Sequence, residues 1–289
     1  MSTLKSYAAL TKPRLLPLVL FSGVPALVMA GGGWPPLELA AVTLLGIALA
    51  AGAASSLNSY LERDLDAQME RTRDRPLPAG ELRARDALIF GLALGVLGTG
   101  TLYVAAGAMA ALVALAAILF YVFVYTLWLK PRTPLAVVIG GLSGAVSPLI
   151  ADAAIGGHVS LAGWILFGII FAWQPPHFYA IALYRKGDYA NAGLPMLHDR
   201  IGDDATRRRI IVWIVGLVPL TLLPVALSLL GPLYAGCALA LGAWFFYHAV
   251  QLQRRRDAET ARRVFRVSLV YLLGTFAAMI IDLAVGALV

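Results

Sequence analysis

Nine apolar runs, each near the length needed to cross a bilayer, constrain this chain more than any other feature. A spanning helix needs about 20 mainly apolar residues. Such runs occupy 15–33, 37–61, 86–106, 108–129, 135–155, 160–184, 209–229, 231–251 and 264–286. With these breaks, the connections after the first, third, fifth and seventh runs are short, rich in Gly or Pro, and hold no Lys or Arg. All 23 Lys and Arg residues then lie on the other side. Eight or ten runs would put whole basic loops on the wrong side. Because basic residues concentrate in cytoplasmic loops, this segregation predicts a cytoplasmic N-terminus and a C-terminus outside.

Composition agrees. Hydrophobic residues make up 60% of the chain and charged residues 13%, against about 25% charged in soluble domains. Too little polar surface remains to cover a globule in water. The expectation is an all-α polytopic membrane protein: one domain over 1–289, with nine transmembrane helices around a central cavity open near the cytoplasmic side. The net charge of +7 reads first as a topology signal, and nothing in it asks for nucleic acid. The single Cys237 excludes an internal disulfide and is expected to pack in the core. No small-residue cleavage site ends the first apolar run, so no cleavable signal is expected.

Two polar constellations interrupt the apolar pattern. The second run continues into Asn58-Ser59-Tyr60-Leu61-Glu62-Arg63-Asp64-Leu65-Asp66. Asn58, Glu62 and Asp66 are four residues apart, which stacks their oxygens on one helical face. Asp64 points elsewhere on an intact helix and inward only if the helix ends. Met69, Arg71, Thr72 and Arg75 follow. A mixed charge run is usually a solvated helix end. Here it continues a membrane span, where a charge costs about 2.5–3.5 kcal/mol at mid-bilayer. Carboxylates with an amide suit Mg²⁺, which binds through one or two carboxylates, waters and phosphate oxygens. Arg supplies paired contacts to phosphate. A diphosphate–Mg²⁺ site is the favoured reading.

The second constellation is Phe171-Ala172-Trp173-Gln174-Pro175-Pro176-His177-Phe178 in the sixth run. Adjacent prolines are expected to break the helical ladder, which a membrane tolerates only inside protein or beside a cavity. A lone intramembrane His is usually a hydrogen-bonded packing residue. Beside Trp173, Gln174 and a break, His177 is read as facing a functional cavity. Arg185, Lys186 and Asp188 follow, with snorkelling to the interface as their ordinary meaning and phosphate or metal contact as the alternative. Among weaker features, Asp152 is assigned no chemistry and His158 is expected to be exposed. His248 reads as structural. Asp282 is an acid near the outer end of the ninth run.

The segment Asn58–Pro76 resembles the aspartate-rich motif of the UbiA-type intramembrane prenyltransferase superfamily, and most of all its protohaem IX farnesyltransferase (haem O synthase) branch. Matching positions are Asn58, Glu62, Asp64, Asp66, Met69, Arg71, Thr72 and Arg75, with Glu62 where Asp is more usual. Trp173–Phe178, Asp188-Tyr189 and Ala192–Leu197 are similar to that branch's second signature. Tyr125-Thr126 through Lys130, Thr133-Pro134 and Ile139–Gly141 form a third match. Ala136, Ser147–Asp152 and His198 depart from the branch's pattern.

The resemblance implies Mg²⁺-dependent transfer of a farnesyl group from farnesyl diphosphate to a vinyl group of haem B, giving haem O. It implies that Asn58, Glu62, Asp66 and Asp188 hold metal and diphosphate, with Asp64 as a further candidate. Arg71, Arg75, Lys130, Arg185 and Lys186 would then contact phosphate. Tyr125, Trp173, Gln174 and His177 would line the substrate site, with His177 near the haem. The implied setting is the cell inner membrane, where association with haem A synthase or oxidase assembly factors would suit the branch. A quinone-ring prenyltransferase and a membrane transporter are the alternatives. Against the transporter stand the position of the polar groups at the rim and the lack of an evident inverted repeat.

Overall fold

The computed structural model describes residues 3–70, 72–185 and 197–286, and all regular structure among them is helical. The elements are α1 (Thr3–Leu10), α2 (Leu16–Gly31), α3 (Leu37–Leu61), α4 (Arg63–Asp66), α5 (Ala84–Ala106) and α6 (Ala108–Leu119), which widens into a π-helical stretch, Phe120–Leu129. They continue with α7 (Ala136–Gly144), α8 (Ser147–Gly156), α9 (Leu161–Tyr184), α10 (Leu197–Ala226), α11 (Pro232–Arg255) and α12 (Ala258–Gly286).

Among the described residues, eight helical segments are long and apolar enough to cross a membrane, α6 with its π-helical end counting as one and α7 with α8 as another. The first expected span is the shorter apolar helix α2, of 16 residues. At 1.5 Å per residue it reaches about 24 Å, less than a hydrocarbon core of about 30 Å. The chain is an integral multi-pass membrane protein.

Most expected spans match in place. The run 135–155 is two helices, because Ala145 and Val146 separate α7 from α8. At this break the Ser147 hydroxyl donates to the Val19 carbonyl (2.6 Å) and so ties α8 to α2. The run 209–229 starts earlier, at Leu197, with a bend at Gly202 (φ +78°). The expected break at Pro175-Pro176 does not occur: α9 runs unbroken from Leu161 to Tyr184. Both prolines are buried. Neighbours α7, α8, α10 and α12 enclose α9, so packing holds the turns that the missing N–H donors weaken.

Lipid offers no hydrophobic drive between helices, so close contact rests on small residues. At the α3–α5 interface a Cβ on Gly98 would stand 2.8 Å from the Ala50 backbone nitrogen. Any larger residue there would push the two helices apart. The α7–α8 and α9 spans are 61% and 72% buried, against 22% for α5. The former are therefore central, and α5 faces lipid.

Acids away from the basic side serve as helix starts. Asp152 is fully buried and accepts from the Ser160 N–H (2.5 Å) and hydroxyl (2.8 Å), just before α9. Asp282 accepts from the N–H groups of Gly231 (2.6 Å) and Tyr234 (3.1 Å) at the start of α11. Each satisfies N–H donors that a helix N-terminus leaves unpaired. On the basic side, α1 packs Leu10 against Leu82 and Ala87, and the Ser6 hydroxyl donates to Glu81 Oε2 (2.6 Å). This anchors the chain just before Lys12.

Candidate active site

The site begins where α3 ends. Glu62 leaves helical geometry (φ −96°, ψ 6°), and the single turn α4 follows. The register nevertheless survives: the Glu62 N–H bonds to the Asn58 carbonyl (2.9 Å) and the Asp66 N–H to the Glu62 carbonyl (2.7 Å). Asn58, Glu62 and Asp66 therefore keep one face, and all three are buried side chains lining one cavity of about 540 Å³.

Three protein cations meet these three oxygen-bearing groups. Lys12 Nζ donates to Asn58 Oδ1 at 2.8 Å. Lys130 Nζ donates to Glu62 Oε1 at 2.5 Å. The Arg75 guanidinium donates to Asp66 Oδ2 at 2.7 Å. Buried carboxylates without such partners would cost several kcal/mol each. Three cations against two carboxylates leave this mouth with surplus positive charge, as an anion site requires. Lys12 lies in the turn before α2, and its pKa is pushed down to about 8, by burial first and then by Arg75 and Lys130, against the opposing pull of Glu62 and Asp66. Its backbone adopts φ +52°, a left-handed conformation uncommon outside glycine.

Tyr125, Gln174 and Arg185 line the same cavity, joined by Tyr121, Phe178 and Phe265. Bare glycines make this possible. A Cβ on Gly140 would lie 2.2 Å from the Tyr125 ring, and one on Gly141 2.8 Å from Gln174 Oε1. Gln174 Nε2 donates to the Gly141 carbonyl (2.9 Å). An adjoining chamber of about 170 Å³ shares Leu15, Tyr121 and Gly144 and is otherwise lined largely by Ala, Ile and Val. A polar mouth thus leads to an apolar interior.

The structure places three other expected site residues elsewhere. Asp64 projects outward, its side chain 85% exposed beside Arg63. The helix does end at Leu61, but the register kept by α4 leaves Asp64 on the outer face. Trp173 is buried and gives its indole N–H to the Ser268 carbonyl (2.6 Å). His177 is paired through Nδ1 with the Ser268 hydroxyl (2.7 Å). It stands behind Phe178 and Phe265, at ring distances of 5.3 and 4.8 Å. Arg71, Lys186 and Asp188 lie outside the described residues. Sequence reasoning counted Lys12 only towards topology. Its partner lies 46 residues away, and its one local signal is the following proline.

Among the described residues no three His, Cys, Asp or Glu side chains gather as a metal cluster. An amide and two carboxylates on one cavity face nonetheless fit Mg²⁺, which completes its shell with water and phosphate.

A helical membrane bundle with an acid–amide face, a ring of cations and an apolar chamber is suited to holding a diphosphate with an apolar tail. The model of the UbiA prenyltransferase family matches residues 19–276. The chain belongs to that family and is a prenyltransferase. It is 42% identical over 290 residues to a protein of Parvibaculum lavamentivorans named protoheme IX farnesyltransferase, covering 99% of this chain and 91% of that one. A protein of Aromatoleum aromaticum with the same name is 45% identical over 280 residues, covering 96% and 92%. Among solved structures, a UbiA homologue from Aeropyrum pernix superposes with a TM-score of 0.75 at 17% identity, over 93% of this chain and 98% of that one. A UbiA homologue from Archaeoglobus fulgidus, bound to DMAPP and Mg²⁺, gives 0.65 at 18% identity, over 95% and 99%. At those identities the structures speak for the fold.

Proposed function

We propose that this chain transfers a farnesyl group from farnesyl diphosphate to a vinyl group of haem B, giving haem O. The relatives above carry that activity in their names over nearly the whole chain. The observation that carries the mechanism is the meeting of Asn58, Glu62 and Asp66 with Lys12, Arg75 and Lys130 at the mouth of one cavity.

In this reading the diphosphate occupies the mouth and the farnesyl tail the apolar chamber. Lys12, Arg75 and Lys130 turn from the protein's oxygens to those of phosphate. As the allylic C–O bond breaks, electrons leave with diphosphate, and these cations stabilise the growing charge where it appears. Asn58, Glu62 and Asp66, with Asp188 from outside the described residues, would hold Mg²⁺, which would supply Lewis-acid neutralisation of the leaving group, and Arg71, also outside them, would contact phosphate. Arg185 and Lys186 would complete the phosphate contacts. Tyr121, Tyr125 and Phe178 line the cavity near the allylic carbon and keep bulk water from the cation. The haem vinyl group attacks that carbon, and water captures the resulting cation with loss of a proton.

The Lys and Arg segregation supports a cytoplasmic mouth in the cell inner membrane, a cytoplasmic N-terminus and an outer C-terminus, with the whole chain as one domain. Haem A synthase or an oxidase assembly factor is the partner class such a product calls for. The test is to incubate membranes containing the protein with farnesyl diphosphate, Mg²⁺ and haem B. The expected haem mass gain is one farnesyl group plus one hydroxyl, as a vinyl group becomes hydroxyethylfarnesyl. Prenylation of a quinone-ring precursor, with haem unchanged, would overturn the proposal.

A further inference from the structure

We propose that Thr126, which does not line the cavity, is a positioning residue that fixes which atom of Asn58 faces the metal–diphosphate site. The inference rests on the reading of that site given above.

An asparagine side chain has two unlike ends, an oxygen that accepts and an NH₂ that donates. Only the oxygen binds a cation. Asn58 is buried at the cavity wall, so one end faces the cavity and the other faces protein. The protein side is Thr126, which is buried. Asn58 Nδ2 lies 3.2 Å from Thr126 Oγ1. The Thr126 hydroxyl has one proton, and it goes to the Tyr121 carbonyl at 2.8 Å. With its proton committed, Thr126 Oγ1 meets Asn58 only as an acceptor, which selects the NH₂ end. Oδ1 is thereby turned to the cavity, where Lys12 Nζ donates to it. Flipping the amide would set NH₂ against the Lys12 ammonium and Oδ1 against a hydroxyl with no proton left to give.

The backbone provides for this arrangement. Thr126 reaches a carbonyl five residues back because Phe120–Leu129 is π-helical. The Lys130 N–H bonds to the Tyr125 carbonyl in the same wide register (2.9 Å). Local π-helical turns are rare and concentrate at functional sites. Here the wide turn sets Thr126 behind Asn58 and carries Tyr121 and Tyr125 on the cavity wall.

A carboxylate has an oxygen at both ends and needs no such selection. This separates positioning from mere packing. Mn²⁺ binding to the purified full chain, with inorganic diphosphate present, is followed by electron paramagnetic resonance. Loss of an outer hydrogen bond to a metal ligand costs about 10–100-fold in affinity. Thr126→Val is therefore expected to weaken Mn²⁺ binding about tenfold or more, and Thr126→Ser to preserve it. In an Asn58→Asp background, Thr126→Val should change Mn²⁺ affinity less than about twofold. Unchanged binding in Thr126→Val would overturn the inference. So would an equal loss in the Asn58→Asp background, since the residue would then only support the fold. If the unsubstituted protein takes up no Mn²⁺ with diphosphate, the metal–diphosphate reading itself fails, a result distinct from either.

Discussion

Two stretches of this membrane protein look equally functional on paper, and the fold uses them differently. The end of α3 turns Asn58, Glu62 and Asp66 onto a cavity, where partners from distant parts of the chain meet them. The Trp173–His177 stretch of α9 spends most of its polar atoms on packing. The Trp173 indole and the His177 ring both bond to Ser268 on α12, and only Gln174 reaches the cavity wall. A polar group inside a bilayer must find a partner. Whether that partner is a neighbouring helix or a substrate decides between structure and chemistry.

The largest effect should come from the first stretch. Asp66→Ala removes a carboxylate from the cavity and strands Arg75, so farnesyl transfer in membranes is expected to fall about a thousandfold, near the upper range for losing one electrostatic contact at a transition state. Activity within tenfold of the parent would break the comparison from this side. Next, Lys130→Met should lower kcat/KM for farnesyl diphosphate about a hundredfold. Lys12→Met should do so less, since its partner is a neutral amide. Steady-state kinetics at varied farnesyl diphosphate checks the order.

The second stretch should respond in stability. His177→Phe removes one hydrogen bond to Ser268, a loss of about 1 kcal/mol. Its expected signature is a lower melting temperature, kcat/KM within about threefold, and an unchanged Soret band when the purified protein is titrated with haem B. A shifted band would make His177 an iron ligand and return α9 to the chemistry. The smallest effect belongs to Asp64→Asn. Its exposed pair with Arg63 is worth about 0–1 kcal/mol, and transfer activity should change less than twofold. A tenfold loss would bring Asp64 back as a site residue.

Much of this was legible in the chain alone. The apolar runs, their basic-side segregation and the four-residue spacing of Asn58, Glu62 and Asp66 are properties of continuous segments. Helix periodicity turns such spacing into a shared face without reference to the rest of the fold. The register even survived the break at Glu62, because the bonds carrying it run between residues four apart.

Partnership was decided by the tertiary structure. Lys130 finds Glu62 across 68 residues and Lys12 finds Asn58 across 46. Asp152 and Asp282, acids inside apolar runs, became helix caps because helix starts arrived beside them. Residue type and spacing along one segment determine what a side chain offers. Which neighbour accepts the offer depends on how separate helices pack, and in lipid that rests on small-residue contacts such as Gly98 against Ala50, which no single segment contains.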